Sequence, residues 1–325
     1  MKAVRVVRAL LCALSLCVAG AAGADTYPSH PIKLIVPVGP GVALDIVARM
    51  MADWLSHDLG QQTMVENIPG ASGVVGVQAA SRATPDGYTL LLAPSSSMSS
   101  NMVYFKTLPY DSIRDFVPIA MVCDSAPFVV SVNPNLPVKT LPDLIALSRA
   151  SPGKLSYAVD ATSGYSVVAG QLLNRLAETD IVEIPYKATP QAVQDTVSGT
   201  TQVMIASLAA VEGSVRAGKL RNIAITSAAR FPTLRELPTV GETLPGYRVD
   251  GWFALVAPAG TPDAIVQRLN SEIGAFLHDD ATLRRLSTYA ISTHGAGTPE
   301  SVSAFMRAER ERWFRLAQEL NIQPQ

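Results

Sequence analysis

The sequence predicts an α/β fold with doubly wound sheets, and three observations carry that prediction. Short β-rich runs alternate with helical patterns along almost the whole chain, and several runs are apolar without a break. Small polar residues cluster where those runs end. Strands apolar on both faces belong in sheets covered by helices on either side. Strand–helix alternation is the pattern of α/β architecture.

Residues 1–24 stand apart from this alternation. Lys2, Arg5 and Arg8 precede the apolar stretch Ala9–Ala22, and "AGA" (22–24) offers a small-residue cleavage site before Asp25. That is the layout of a secretory signal peptide, and the apolar run is short for a membrane anchor. Cys17 follows Leu16, where a lipoprotein would need a small residue. A mature, exported chain beginning near Asp25 is therefore expected, with a periplasmic location.

Removing three basic residues leaves 23 against 27 acidic ones, a net charge of about −4 without a basic run, which argues against nucleic acid. Cys12 and Cys17 leave with the leader, so Cys123 has no disulfide partner. Stability must come from the core, and about 300 residues suffice for that.

The first strand, Ile32–Val38, leaves through "PVGPGVALD" (37–45) into a helix at Asp45–Leu59. Thr63–Ile68 passes through "PGASG" (69–73) into Gly73–Ala83, and Tyr88–Pro94 runs into "APSSSMSSN" (93–101), read as a loop. Val117–Val122 and Phe128–Asn133 are two strands separated by polar residues, before a helix at Leu141–Arg149. Leu155–Val159 leads through "DATSGYS" (160–166) to Ser166–Ala177, and Ile181–Tyr186 through "YKATP" (186–190) to Pro190–Ser198. Gln202–Ala206 leads through "ASLAA" (206–210) to Ala209–Ala217, followed by strands Arg221–Thr226 and Gly251–Ala257. The last third is helical. Ile265, Leu269, Ile273, Phe276 and Leu277 repeat at helical spacing, and Pro299–Leu320 is amphipathic. Thr261-Pro262 and Thr298-Pro299 each supply an N-cap followed by Pro at N1.

Doubly wound sheets bind ligands beyond the carboxyl ends of their strands. Six consecutive loops there are rich in Gly, Ser, Thr and Ala, and the first four hold no Arg or Lys. One cleft lined by backbone amides and hydroxyls is the expectation. Asp45 at a helix start favours the helix dipole and orients the loop. Gly41, in a surface loop, is expected to tolerate a bulky residue with little loss of stability.

These loops resemble the Bug family, the periplasmic solute receptors associated with tripartite tricarboxylate transporters. The resemblance rests on "YPSHPIKLIVPVGPGVALDIVAR", "VENIPGASGVVG", "TPDGYTLLLAPSSS", "IPYKATPQAVQD" and "LPTVGETLPGYRVDGWFALVAPAGTP", in that order. It implies a type II periplasmic-binding-protein fold with two α/β domains closing on a ligand cleft like a flytrap. Domain 1 would be residues 25–124 with 252–325, and domain 2 residues 125–251, with crossings near Cys123–Ala126 and Tyr247–Trp252. The implied ligand is a small carboxylic acid held by Val38, Gly39, Gly41, Asp45, Ser72, Ser95, Ser96, Thr162, Ser163, Gly164, Tyr165, Ser166, Tyr186, Ala206 and Ser207. The partner would be a membrane permease, the receptor a monomer, and no cofactor or metal is implied. The chain departs from the family pattern at Val42, Tyr165, Val167, Ala188 and Ala206. Tyr165 stands between two readings, lining the ligand or packing at a helix start.

Rival readings follow from the same residues. "GASGVVG" (70–76) has the spacing G-x-x-G-x-x-G, which is not the dinucleotide fingerprint. The serine clusters invite a secreted α/β hydrolase, yet no G-x-S-x-G elbow occurs and His30, His57, His278 and His294 lie outside the cleft loops. A receptor that signals to a membrane sensor protein without transport shares every feature of the first reading.

Overall fold

The computed structural model describes residues 27–160, 164–319 and 322–324. Nine strands form one continuous sheet among these residues. They are β1 (Ile32–Val36), β2 (Thr63–Asn67), β3 (Thr89–Pro94), β4 (Phe116–Val132), β5 (Ser156–Asp160), β6 (Val182–Tyr186), β7 (Val203–Ser207), β8 (Arg221–Ile225) and β9 (Asp250–Pro258). Their spatial order is β2-β1-β3-β9-β4-β7-β5-β6, with β8 also on β4. The helices are α1 (Ala43–Asp58), α2 (Val74–Ser81), α3 (Asn101–Tyr104), α4 (Leu141–Ala150), α5 (Gly164–Ala177) and α6 (Thr189–Ser198). They continue with α7 (Leu208–Arg216), α8 (Val240–Thr243), α9 (Asp263–His278), α10 (Asp280–Thr288) and α11 (Pro299–Glu319). No helix of the described residues is long and apolar enough to cross a membrane.

Strand side chains alternate between faces, and four apolar clusters follow that alternation. Ile32, Leu34, Leu90, Leu92, Leu255 and Ala257 join one cluster with α1 and α9 residues such as Val47, Met51, Leu269 and Ile273. Their neighbours Ile35, Leu91, Ala93, Ala254 and Val256 join a second cluster with Val302 and Met306 of α11. The other half repeats the scheme. Tyr157, Val159, Val203 and Ile205 face Val168 and Leu172, whereas Ala158, Met204 and Ala206 face Ala192 and Val211. Both faces are covered, which is why these strands read as unbroken apolar runs.

The sequence reading divides β4 into two strands; the structure makes it one strand of 17 residues. Its first part, Phe116–Pro127, pairs antiparallel with β9, through register shifts at Pro118/Ala120, Met121/Cys123 and Cys123/Ala126. From Phe128 onward it pairs with β7 and β8 instead. Polar Asp124 and Ser125 fall at the irregular stretch, where bulges bend the strand and Ser125 bridges to Ser292. Cys123 is a buried free thiol beside it. Close approach fixes the packing at the other end of β1. A Cβ on Gly76 would lie 2.6 Å from the Ile68 carbonyl oxygen and 2.9 Å from Pro37 Cα, so only glycine lets α2 sit this near the strand end.

Candidate ligand site

A cavity of about 590 Å³, including its open mouth, lies at the strand ends between the two halves of the sheet. Val38, Val42, Ala43 and Leu44 line it from the first loop and α1, Pro94, Ser95 and Ser96 from the end of β3. Ala126, Pro127 and Phe128 of β4, Gly251 and Phe253 of β9, Ser207, Tyr289 and Ile291 complete the wall. Among the described residues, none that lines it carries a charge. Whatever anion enters must be held by dipoles.

Those dipoles are helix N-termini. At α1 the N-cap is Val42, which has no side chain to cap with, and the cavity meets Val42, Ala43 and Leu44 directly. At α7 the N-cap is Ser207, whose hydroxyl makes no capping bond. Ser207 Oγ is buried without a hydrogen-bond partner among the described residues. Ser95 and Ser96 open a third helical run, through the π turn Ser96–Ser100 into α3. Uncapped first turns leave backbone N–H groups free, and the helix dipole adds partial positive charge there. Three such ends converge on one cavity, a site shaped for an anion.

Asp45 builds the first of these walls without lining it. Its carboxylate accepts from the Gly41 N–H at 3.0 Å, Arg49 Nε at 3.0 Å and Asn67 Nδ2 at 2.9 Å. Asn67 Nδ2 also donates to the Val38 carbonyl at 3.1 Å, so one network ties the loop at both ends. Burial pushes the Asp45 carboxyl up, but the hydrogen bonds from Arg49, Gly41 and Asn67 outweigh it and hold the group below the usual range. The charge of Asp45 is thus spent on Arg49 and kept from the anion's seat.

Gly41 overturns its sequence expectation. Its φ is +86°, in the left-handed region that favours glycine. Open space around it does not remove that strain. Gly41→Leu should destabilise the empty protein by about 1–2 kcal/mol, read as a lower midpoint in urea. An unchanged midpoint would show that the loop relaxes.

The structure brings Val38, Ser95, Ser96 and Ser207 to the cavity wall. Gly39 is not on it; Gly41 and Asp45 stand one layer behind as loop ties. Ser72 adopts φ +55° in a 3₁₀ turn and its carbonyl accepts from Asn101 Nδ2 at 3.0 Å. Thr162 and Ser163 lie outside the described residues. Gly164 opens α5, and Ser166 is fully buried within it. Tyr165 is buried behind Ser95 and Ser99, where its hydroxyl accepts from Trp313 Nε1 at 2.8 Å. Burial pushes that hydroxyl up to about 12, with the Glu309 carboxylate adding to the effect. Tyr186 is turned to Asp195, at 2.8 Å, and Ala206 packs with Met204 and Val211 in a core cluster.

Sequence reasoning missed Phe128, Phe253, Tyr289 and Ile291 as wall residues. The first two sit in strands that read as core. The others follow α10, a helix with no separate sequence expectation, whose start is capped by Asp279 accepting from Thr282 N at 2.7 Å. An Asp three residues before a Thr is the signal that was available. The "APSSSMSSN" loop is another correction, since it is helical from Ser96 onward.

A family described as the tripartite tricarboxylate transporter family receptor matches residues 47–322. The chain belongs to that receptor family. Over 304 residues it is 35% identical to protein BugT of Bordetella pertussis, covering 93% of each chain. The structure of Rhodopseudomonas palustris Rpa4515 with adipate matches with a TM-score of 0.88 at 32% identity, over 92% of this chain and 100% of that one. MatC of the same organism with bound malate matches with a TM-score of 0.78 at 28% identity, over 88% and 98%. The fold is therefore that of the family's solute-binding receptors, which work in the periplasm. Among the described residues no cluster of His, Cys, Asp or Glu is arranged to hold a metal ion.

Proposed function

We propose that this tripartite tricarboxylate receptor captures a small carboxylic acid in the cavity at Val38–Leu44, Ser95–Ser96 and Ser207 and delivers it to a membrane permease without chemical change. The convergence of uncapped helix N-termini on a wall whose described residues carry no charge supports this reading. Ser207 Oγ, buried and without a partner, supplies a hydroxyl donor for the incoming carboxylate. Relatives holding adipate and malate support a carboxylate of similar size. Among the described residues no histidine lines the cavity to activate Ser95, Ser96 or Ser207, which speaks against hydrolysis.

The two-domain arrangement belongs to the same proposal. Residues 25–124 with 252–325 form one domain and 125–251 the other, hinged where β4 changes partners after Pro127 and near Tyr247–Trp252. The bulges of β4 supply the bend such a hinge needs. Residues 1–24 act as a cleaved export signal, and the receptor works as a monomer.

Adipate is the first probe. At about 100 times its dissociation constant it should add roughly 2.7 kcal/mol of stability. For a chain of this size that is a melting shift on the order of 5 °C. Adipamide, which carries no charge for the helix ends, should shift the melting far less. If no member of a dicarboxylate series stabilises the protein, or acid and amide act alike, the carboxylate reading fails.

A further inference from the structure

Away from the ligand cavity, a groove of about 890 Å³ including its mouth runs between α5 and α11. Its walls carry four arginines, Arg175, Arg248, Arg312 and Arg315, against one carboxylate, Glu319. Its apolar residues are Leu172, Leu176 and Leu316. The whole chain holds 26 basic and 27 acidic residues, so four arginines around one groove are a local concentration that composition does not explain.

The arginines are only partly used inside the molecule. Arg312 pairs with Glu309 at 2.7 Å and Arg175 donates to the Glu319 backbone carbonyl. Arg248 and Arg315 are exposed and make no ion pair among the described residues. The walls are held at fixed spacing from below. Trp313 and Ala317 of α11 share a buried cluster with Leu172 and Leu173 of α5, and Trp313 Nε1 donates to Tyr165 OH at 2.8 Å.

We propose that this groove is a docking surface for an acidic, leucine-bearing segment of a partner polypeptide. Arginines offer forked donors that carboxylates accept in pairs, and arginine is enriched where proteins meet. The leucines add apolar surface among the arginines, and a protein contact likewise combines apolar and charged surface. A free phosphate or polycarboxylate would gain nothing from that apolar surface. A lipid bilayer is flat and would leave a concave groove uncovered. The exposed side chain of Leu176, 37% accessible, belongs to the surface that an apolar side chain would cover.

The test uses the full mature chain and a set of fluorescein-labelled hexapeptides that combine glutamate and leucine at different spacings, read by anisotropy. At least one glutamate peptide should bind, and its glutamine counterpart should bind roughly tenfold more weakly or worse. Added salt should weaken the glutamate complex. The double variant Arg248→Gln/Arg315→Gln should lose roughly tenfold in peptide affinity. Its melting shift with adipate should be unchanged, because neither arginine lines the ligand cavity. That readout separates failure of the groove from failure of the carboxylate site. Absence of binding across the whole set, equal binding of glutamate and glutamine peptides, or an unaffected double variant would overturn the proposal. So would inorganic phosphate displacing the peptide as well as unlabelled peptide does, which marks a small-anion site. Arginine-dependent sedimentation with phosphatidylglycerol vesicles, without peptide binding, would assign the surface to lipid instead.

Discussion

Ser207→Ala should weaken carboxylate binding roughly ten- to a hundredfold while leaving the empty protein at least as stable as before. A hydrogen bond to a charged group is worth about 1.5–3 kcal/mol, and each 1.4 kcal/mol is about tenfold in affinity. Ser207 Oγ is buried without a partner among the described residues and does not cap α7, so it contributes no hydrogen bond there that the substitution could remove. A buried hydroxyl without a partner is a cost, and alanine removes it. The two effects have opposite signs, which makes the pair diagnostic. Calorimetric titration with adipate and urea unfolding of the same preparations would read both. Equal affinity in the variant would show that the carboxylate sits elsewhere on the wall. A large loss of stability would mean that the hydroxyl has a structural partner.

Asp45→Ala should have the largest effect on stability, a loss of about 2–4 kcal/mol at neutral pH. The substitution removes hydrogen bonds from Gly41 N–H, Arg49 and Asn67 together, and leaves the donors on a part-buried loop without their acceptor. It also frees the loop that carries Val38–Leu44, so carboxylate affinity should fall with stability. Acid unmasks the same contribution. The folded carboxyl is held below its ordinary range, so its stabilisation is full above the unfolded value, near pH 4. It is lost as pH falls through the lowered folded value. Urea unfolding at neutral pH should therefore separate native protein from Asp45→Asn, and the gap should narrow at about pH 3. A gap independent of pH would mean that Asp45 acts through packing alone.

Much of this protein is legible in its sequence because the relevant physics is local. Ile32–Val36 and Leu90–Ala93 read as buried strands since both of their faces meet helices. The start of α11 at Pro299 was announced by Thr298-Pro299, and the starts read at Asp45 and Pro190 lie within two residues of Ala43 and Thr189. The serine-rich stretch after β3 was not legible. Serine favours loops locally, whereas Ser96–Tyr104 is held helical by distant groups, among them Tyr110 OH donating to the Ser97 carbonyl at 2.8 Å. Tertiary contact outweighed propensity there.

The sequence by itself determined the α/β class, the covered sheets and the glycine-bearing turn that leads from β1 into α1. These follow from patterns a few residues long. Only the tertiary structure decided that β4 is one bent strand shared by both halves, since that depends on which partners lie beside it. It also decided the wall of the cavity. Val42, Ser96, Phe128, Ser207, Phe253 and Tyr289 are far apart in the chain, and each is a wall residue only because three helix ends point at one place. Tyr165 marks the boundary between the two kinds of information. Its sequence position is beside a stretch read as a ligand loop, yet its side chain is claimed by Trp313, 148 residues away, through a hydrogen bond that no local pattern encodes.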